Sequence, residues 1–123
     1  MELRLLEPHF TICKVPDLGS VNWNTPFCFA SRTDEECSLV CPEEYVPVSA
    51  VERNDGWRAV RIEGVLDFSL VGILAEITGA LAKQKIPVFV VSTFNTDYVL
   101  MKHEYMLSAI CVLEKTGWSV IQK

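Results

Sequence analysis

The sequence predicts an α+β fold made of antiparallel strands with its helices on one face, and two observations carry that prediction. Residues 26–43 (PFCFASRTDEECSLVCPE) lie without a gap on residues 87–104 (PVFVVSTFNTDYVLMKHE), so one structural unit is present twice. Pro26/Pro87, Ser31/Ser92, Leu39/Leu100 and Glu43/Glu104 are identical, Glu36/Asp97 keeps a carboxylate, and each copy reads as an apolar run, a polar turn and a second apolar run, which is a hairpin. The second observation is a change of period: residues 57–63 (WRAVRIE) alternate as a strand, while 68–85 repeat their apolar residues at helical spacing.

Element by element, residues 9–15 (HFTICKV) alternate as a strand that Pro16 ends. The stretch before Pro26 (DLGSVNWNT) is too short and too rich in turn residues for a helix, so the first copy lacks one there, and Trp23 is the candidate cover for its core. Strands at 27–31 and 37–41 make the first hairpin around an acidic turn. Residues 42–53 hold at most a helical turn, and Asn54-Asp55-Gly56 reads as a turn separating the halves.

In the second half, 57–63 is a strand and 68–85 a helix with Leu70, Ile73, Leu74, Ile77, Ala80 and Leu81 on one face and Asp67 at its N-cap. Gly72 and Gly79 fall inside that helix, where each costs ~1 kcal/mol relative to Ala, so close backbone packing against a sheet or a partner is expected. Strands at 88–92 and 98–102 form the second hairpin. A helix over 103–114 carries Met106, Ala109, Ile110 and Leu113 on one face, Gly117 closes it, and 118–122 is a last strand. The order βαββαβ, complete in the second half and partial in the first, describes a ferredoxin-like sandwich in two units, 1–56 and 57–123, the first degenerate and the two sharing a core.

With 123 residues, half of them hydrophobic, the chain has enough apolar surface for one domain or two small lobes. The formal net charge is −5 and the eleven Lys and Arg residues are scattered, which argues against a nucleic-acid partner. No apolar run approaches the ~20 residues that span a bilayer, and MELRLLEPHF is too short and broken for a signal peptide, so no membrane association and a cytoplasmic location are expected. Five cysteines, an odd number set mostly in apolar runs, fit reduced thiols acting as small core residues. On a strand Cys37 and Cys41 stand ~13 Å apart, too far to share an ion, and with only two histidines no metal site is expected.

The segment EGVLDFSLVGILAEITGALA (63–82) followed by PVFVVSTFNTDYVLM (87–101) resembles ACT domains, and more narrowly the ACT repeats of cytosolic arginine sensors and aspartate kinases and small proteins of two ACT-like units. The close resemblance covers 57–123. It implies a non-catalytic regulatory or sensor module, without a cofactor, that binds an amino acid at an interface between two units. By position it points to the loop residues Asp67, Phe68, Ser69 and Leu70 and to the turn residues Thr93, Phe94, Thr96 and Asp97 as ligand-binding. The chemistry agrees: free amides at a helix N-terminus suit a carboxylate, and a nearby aspartate suits an ammonium or guanidinium group. Each residue also has a plainer reading. Asp67 serves as an N-cap, Thr96 and Asp97 as turn formers, and Phe94 as a hairpin-tip aromatic packed on a partner copy.

A homodimer or higher oligomer is expected from the two glycines and from strand edges left open. The competing class is a structural dimerisation or protein-interaction module without a ligand. An enzyme ranks last: no Ser, Cys or Lys has a neighbouring base in a recognisable arrangement, and no phosphate-binding loop is present.

Overall fold

The computed structural model describes residues 1–64 and 71–122. The chain forms two compact units, a small one over Pro8–Trp57 and a large one that joins Met1–Glu7 to Arg58–Lys123. The seven N-terminal residues thus belong with the second unit rather than the first. The physical reason is β1 (Glu2–Leu5), a strand the sequence pattern does not reveal.

β1 pairs antiparallel with β5 (Glu52–Ile62) and parallel with β8 (Ser119–Ile121), a parallel element among ladders expected to be antiparallel. β6 (Phe89–Ser92) and β7 (Asp97–Lys102) make the second hairpin, and β7 also pairs with β5, so the large unit orders its strands β6-β7-β5-β1-β8. This is the ferredoxin-like arrangement with β1 inserted between the first and last strands of the βαββαβ unit. α1 (Ile73–Lys83) and α2 (Met106–Lys115) pack Ile77, Leu81, Met106, Ala109, Ile110 and Leu113 with Leu3, Val60, Ile62, Val99 and Met101 from the strands. The face predicted for the second helix is therefore the buried one.

Both helices end alike. Trp118 N donates to Leu113 O and Gly117 N to Glu114 O, each at 3.1 Å, a Schellman closure with Gly117 at φ 101°. After α1, Ile86 N donates to Leu81 O and Lys85 N to Ala82 O, but here the left-handed position belongs to Lys85 at φ 61°. The start of α1 differs from expectation. Gly72, at φ 84°, stands just before the helix instead of inside it, so the described part of the element begins at Ile73. A Cβ added at Gly79 would meet nothing within 4 Å among the described residues, so among them this glycine marks no close backbone approach.

In the small unit β2 (Phe10–Val15) lies between β4 (Cys37–Pro42) and the first part of β5, and β3 (Phe29–Arg32) pairs β4 at the edge. Asn54-Asp55-Gly56 is not a turn between strands: it lies within β5. Phe10 faces Trp57 while Ile12 faces Asn54, so an extra residue is inserted on β5 opposite Thr11. Gly56 at φ 85° supplies the backbone such a bulge requires, and its N–H donates to the Glu43 carboxylate at 2.6 Å. Turn-type residues here bend a strand.

The small unit has no α-helix among its described residues. Its core of Cys13, Val15, Val21, Leu39 and Cys41 is covered by Leu18, Val46 and Ala50, and Trp23, the expected cover, is exposed. All five cysteines are free. Burial, reinforced by the neighbouring thiols of Cys13 and Cys28, pushes the Cys41 thiol up to about 12, in keeping with a core residue.

The two hairpins match, but at a shift of 60 residues rather than the 61 of the ungapped alignment. Thr33 N donates to Glu36 O at 2.9 Å, as Thr93 N does to Thr96 O at 2.8 Å, and Glu36 N and Thr96 N both donate back to the preceding threonine hydroxyl. The short 3-10 turns that follow, Glu43–Tyr45 and His103–Tyr105, keep the same spacing. Glu36 accordingly matches Thr96, and Asp97 matches Cys37. A one-residue slip exchanges the two faces of a strand, and four scattered identities were too few to prevent it.

Candidate functional site

The β6–β7 turn is a four-residue loop whose threonine at each end is fixed by hydrogen bonds. Thr93 Oγ1 donates to Thr96 O at 3.1 Å, and Thr96 Oγ1, buried, donates to Ile62 O at 2.6 Å. The second bond fastens the turn to the end of β5. Because the Thr96 hydroxyl spends its proton on Ile62, its remaining lone pairs serve as acceptors.

Beside this turn lies a cavity of about 260 Å³, lined by Arg61, Glu63 and Gly64 at the end of β5, by Thr93, Asn95 and Thr96, and by Tyr98 on β7. Alternation along β5 sends Val60 and Ile62 to the helix-covered core and leaves Arg61 and Glu63 on the other side. Arg61 stands opposite Arg4 in the β1–β5 ladder, and both reach one carboxylate: Arg4 Nε lies 2.7 Å from Glu63 Oε1 and Arg61 Nε 3.0 Å from Glu63 Oε2. The hydrogen bond from Arg4 is the largest influence on Glu63; with Arg61 it outweighs partial burial and holds the carboxyl below its ordinary range. The Arg61 guanidinium also sits 5.9 Å from the Tyr98 ring centre, within cation–π range.

Of the residues singled out from sequence, Thr93 and Thr96 line the cavity. Phe94 stands 79% exposed at the hairpin tip, and Asp97 starts β7 opposite Ser92, whose hydroxyl donates to its Oδ1 at 2.5 Å. Neither Phe94 nor Asp97 lines the cavity. Asp67, Phe68, Ser69 and Leu70 lie outside the described residues, as does the predicted start of the helix; Gly64, on the cavity wall, directly precedes that segment. Arg61, Glu63 and Tyr98 were missed by sequence reasoning. The pattern WRAVRIE did carry the signal for the first two, since its alternation places an arginine and a glutamate side by side off the core face.

The arrangement is a small polar recess with a guanidinium, a carboxylate held ionised, an amide and three hydroxyls, set where a ferredoxin-like unit passes from its first strand towards its first helix. The family model described as ACT domain matches residues 52–115, and the chain belongs to the ACT domain family.

Over 60 residues, 48% of this chain, it is 43% identical to the human cytosolic arginine sensor for mTORC1 subunit 1, and over 68 residues it is 40% identical to the mouse protein of that name. It covers only 18% and 20% of those relatives. Among solved structures, a protein of Agrobacterium tumefaciens aligns over 99% of this chain and 92% of its own with a TM-score of 0.88 at 25% identity. The regulatory subunit of aspartate kinase from Thermus thermophilus aligns over 94% of this chain and 96% of its own with a TM-score of 0.65 at 14% identity, a likeness of fold. Among the described residues no helix is long and apolar enough to cross a membrane.

Proposed function

We propose that this protein is a non-catalytic amino-acid sensor of the cytoplasm, in which the cavity beside the β6–β7 turn receives a free amino acid. The observation that supports this most is the meeting of Arg61, Glu63 and the Thr96 hydroxyl in one recess of an ACT unit. The ligand's cationic group faces the acceptors Glu63 and Thr96, with Asp97 adding negative charge near the turn. Its carboxylate is proposed to meet the backbone amides of Ser69 and Leu70, which follow Asp67 and Phe68 in the sequence, and Phe94 to cover its apolar part.

A second ACT-like unit completes the site, so a homodimer or higher oligomer is the working form, with the small unit as the degenerate one and the large unit as the binding one. The regulatory class follows from the family and from the names of its relatives. Isothermal titration with each amino acid tests the reading. Asp97→Ala should weaken binding of a cationic group only modestly, by the loss of a nearby charge, while Phe94→Ala should lower affinity without changing charge preference. Unchanged affinity in both variants places the ligand elsewhere, and no heat with any amino acid favours the dimerisation module.

A further inference from the structure

A second cavity in the large unit, about 410 Å³, takes no part in the site above. Its floor is apolar, formed by Leu5 of β1 and Met106 and Ile110 of α2, with Arg58 of β5, Glu104 of the 3-10 turn and the exposed Leu107 around it.

Arg58 differs from three other arginines of the chain. Arg4, Arg53 and Arg61 each have a carboxylate within 3.0 Å, whereas among the described residues none lies within 4.0 Å of Arg58. One arm is pinned, since Nη2 donates to Leu6 O at 3.1 Å, and Nε is buried with no acceptor among the described residues. Among the described residues no carboxylate offsets this half-enclosed positive charge, and the part of the guanidinium that faces the cavity suits a carboxylate through a charge-assisted hydrogen bond. The floor below it suits a short hydrocarbon chain.

We infer that this second cavity is a binding site for a small monocarboxylate with an apolar chain, its carboxylate on Arg58 and its chain on Leu5, Met106 and Ile110. The carboxylate is common to two sources, an apolar amino acid and a plain or 2-oxo carboxylic acid. Glu104 distinguishes them, because it favours an ammonium group and disfavours a second anion.

The test titrates leucine, 4-methyl-2-oxopentanoate and hexanoate into the full chain, followed by amide NMR shifts and by calorimetry. Saturable binding is expected for at least one probe, with shifts at Arg58 and along 103–110. Arg58→Gln should weaken it about tenfold or more, the weight of one hydrogen bond to a charged group. Leucine binding tightest, with that advantage lost in Glu104→Gln, assigns the amino acid; any other order among binding probes assigns the carboxylate alone. Should Arg58→Gln fail to fold, Leu107→Asp decides, since Leu107 is 84% exposed and the change sets a repelling charge beside the cavity. The inference is overturned if no probe saturates, or if binding survives Arg58→Gln or Leu107→Asp undiminished. It is overturned equally if Thr96→Val, outside the lining of this cavity, abolishes binding in protein whose amide spectrum shows it folded.

Discussion

Arg4 and Arg61 stand opposite each other in the β1–β5 ladder and divide one carboxylate between them, each guanidinium holding one oxygen of Glu63. Two cations directly opposite on neighbouring strands repel, and the shared anion between them offsets that cost. The same contact ties the N-terminal strand to a wall of the candidate site, so the fold and the recess depend on one charge.

The first prediction follows from that charge. Glu63 is held below its ordinary value of 4.5, so its contribution to stability is fully present above that pH and is lost as the pH falls through the folded value. Glu63→Gln should therefore destabilise the protein at neutral pH and show a shallower loss of stability on acidification. Urea midpoints measured from pH 7 down to pH 3 check this, and parallel curves for the two proteins would contradict it.

Thr96→Val should cost ~1 to ~3 kcal/mol, because it leaves the buried Ile62 carbonyl without its side-chain donor. It should weaken amino-acid binding as well. Denaturant unfolding gives the first effect and calorimetry the second.

Lys85 occupies a left-handed position that its counterpart after α2 gives to Gly117. Lys85→Gly should relieve ~1 kcal/mol of backbone strain, partly offset by the added freedom of the unfolded chain, while Gly117→Ala should cost ~1 kcal/mol or more. A thermal melt in which both changes moved stability the same way would refute the parallel between the two helix ends.

Cys111 is exposed while Cys13 and Cys41 are buried, and burial raises the pKa of both buried thiols. A thiol reagent at pH 8 should label Cys111 first and reach Cys41 only on unfolding, as read by peptide mass spectrometry.

Much of this fold was legible because its signals are local. Met106, Ala109, Ile110 and Leu113 repeat at helical spacing and all four are buried. The hairpins showed as paired apolar runs around polar turns. What stayed hidden depends on distant partners: Glu2–Leu5 is too short to declare itself a strand, and its pairing with β5 and β8 is set by residues some 55 to 120 positions away. Asn54-Asp55-Gly56 has turn composition, and only the strand opposite makes it a bulge. The site divides in the same way. Thr93 and Thr96 were visible as turn residues, whereas Arg61 and Glu63 look like an ordinary solvated strand face until Arg4 arrives from the other end of the chain.

Binding of a free amino acid beside the β6–β7 turn is open to a thermal-shift panel of the twenty amino acids. A ligand at about 100 times its dissociation constant adds ~2.7 kcal/mol. A clear rise in melting temperature is expected with one or a few amino acids, diminished in Thr96→Val. Twenty unshifted melting curves, or a rise that Thr96→Val leaves intact, would contradict it.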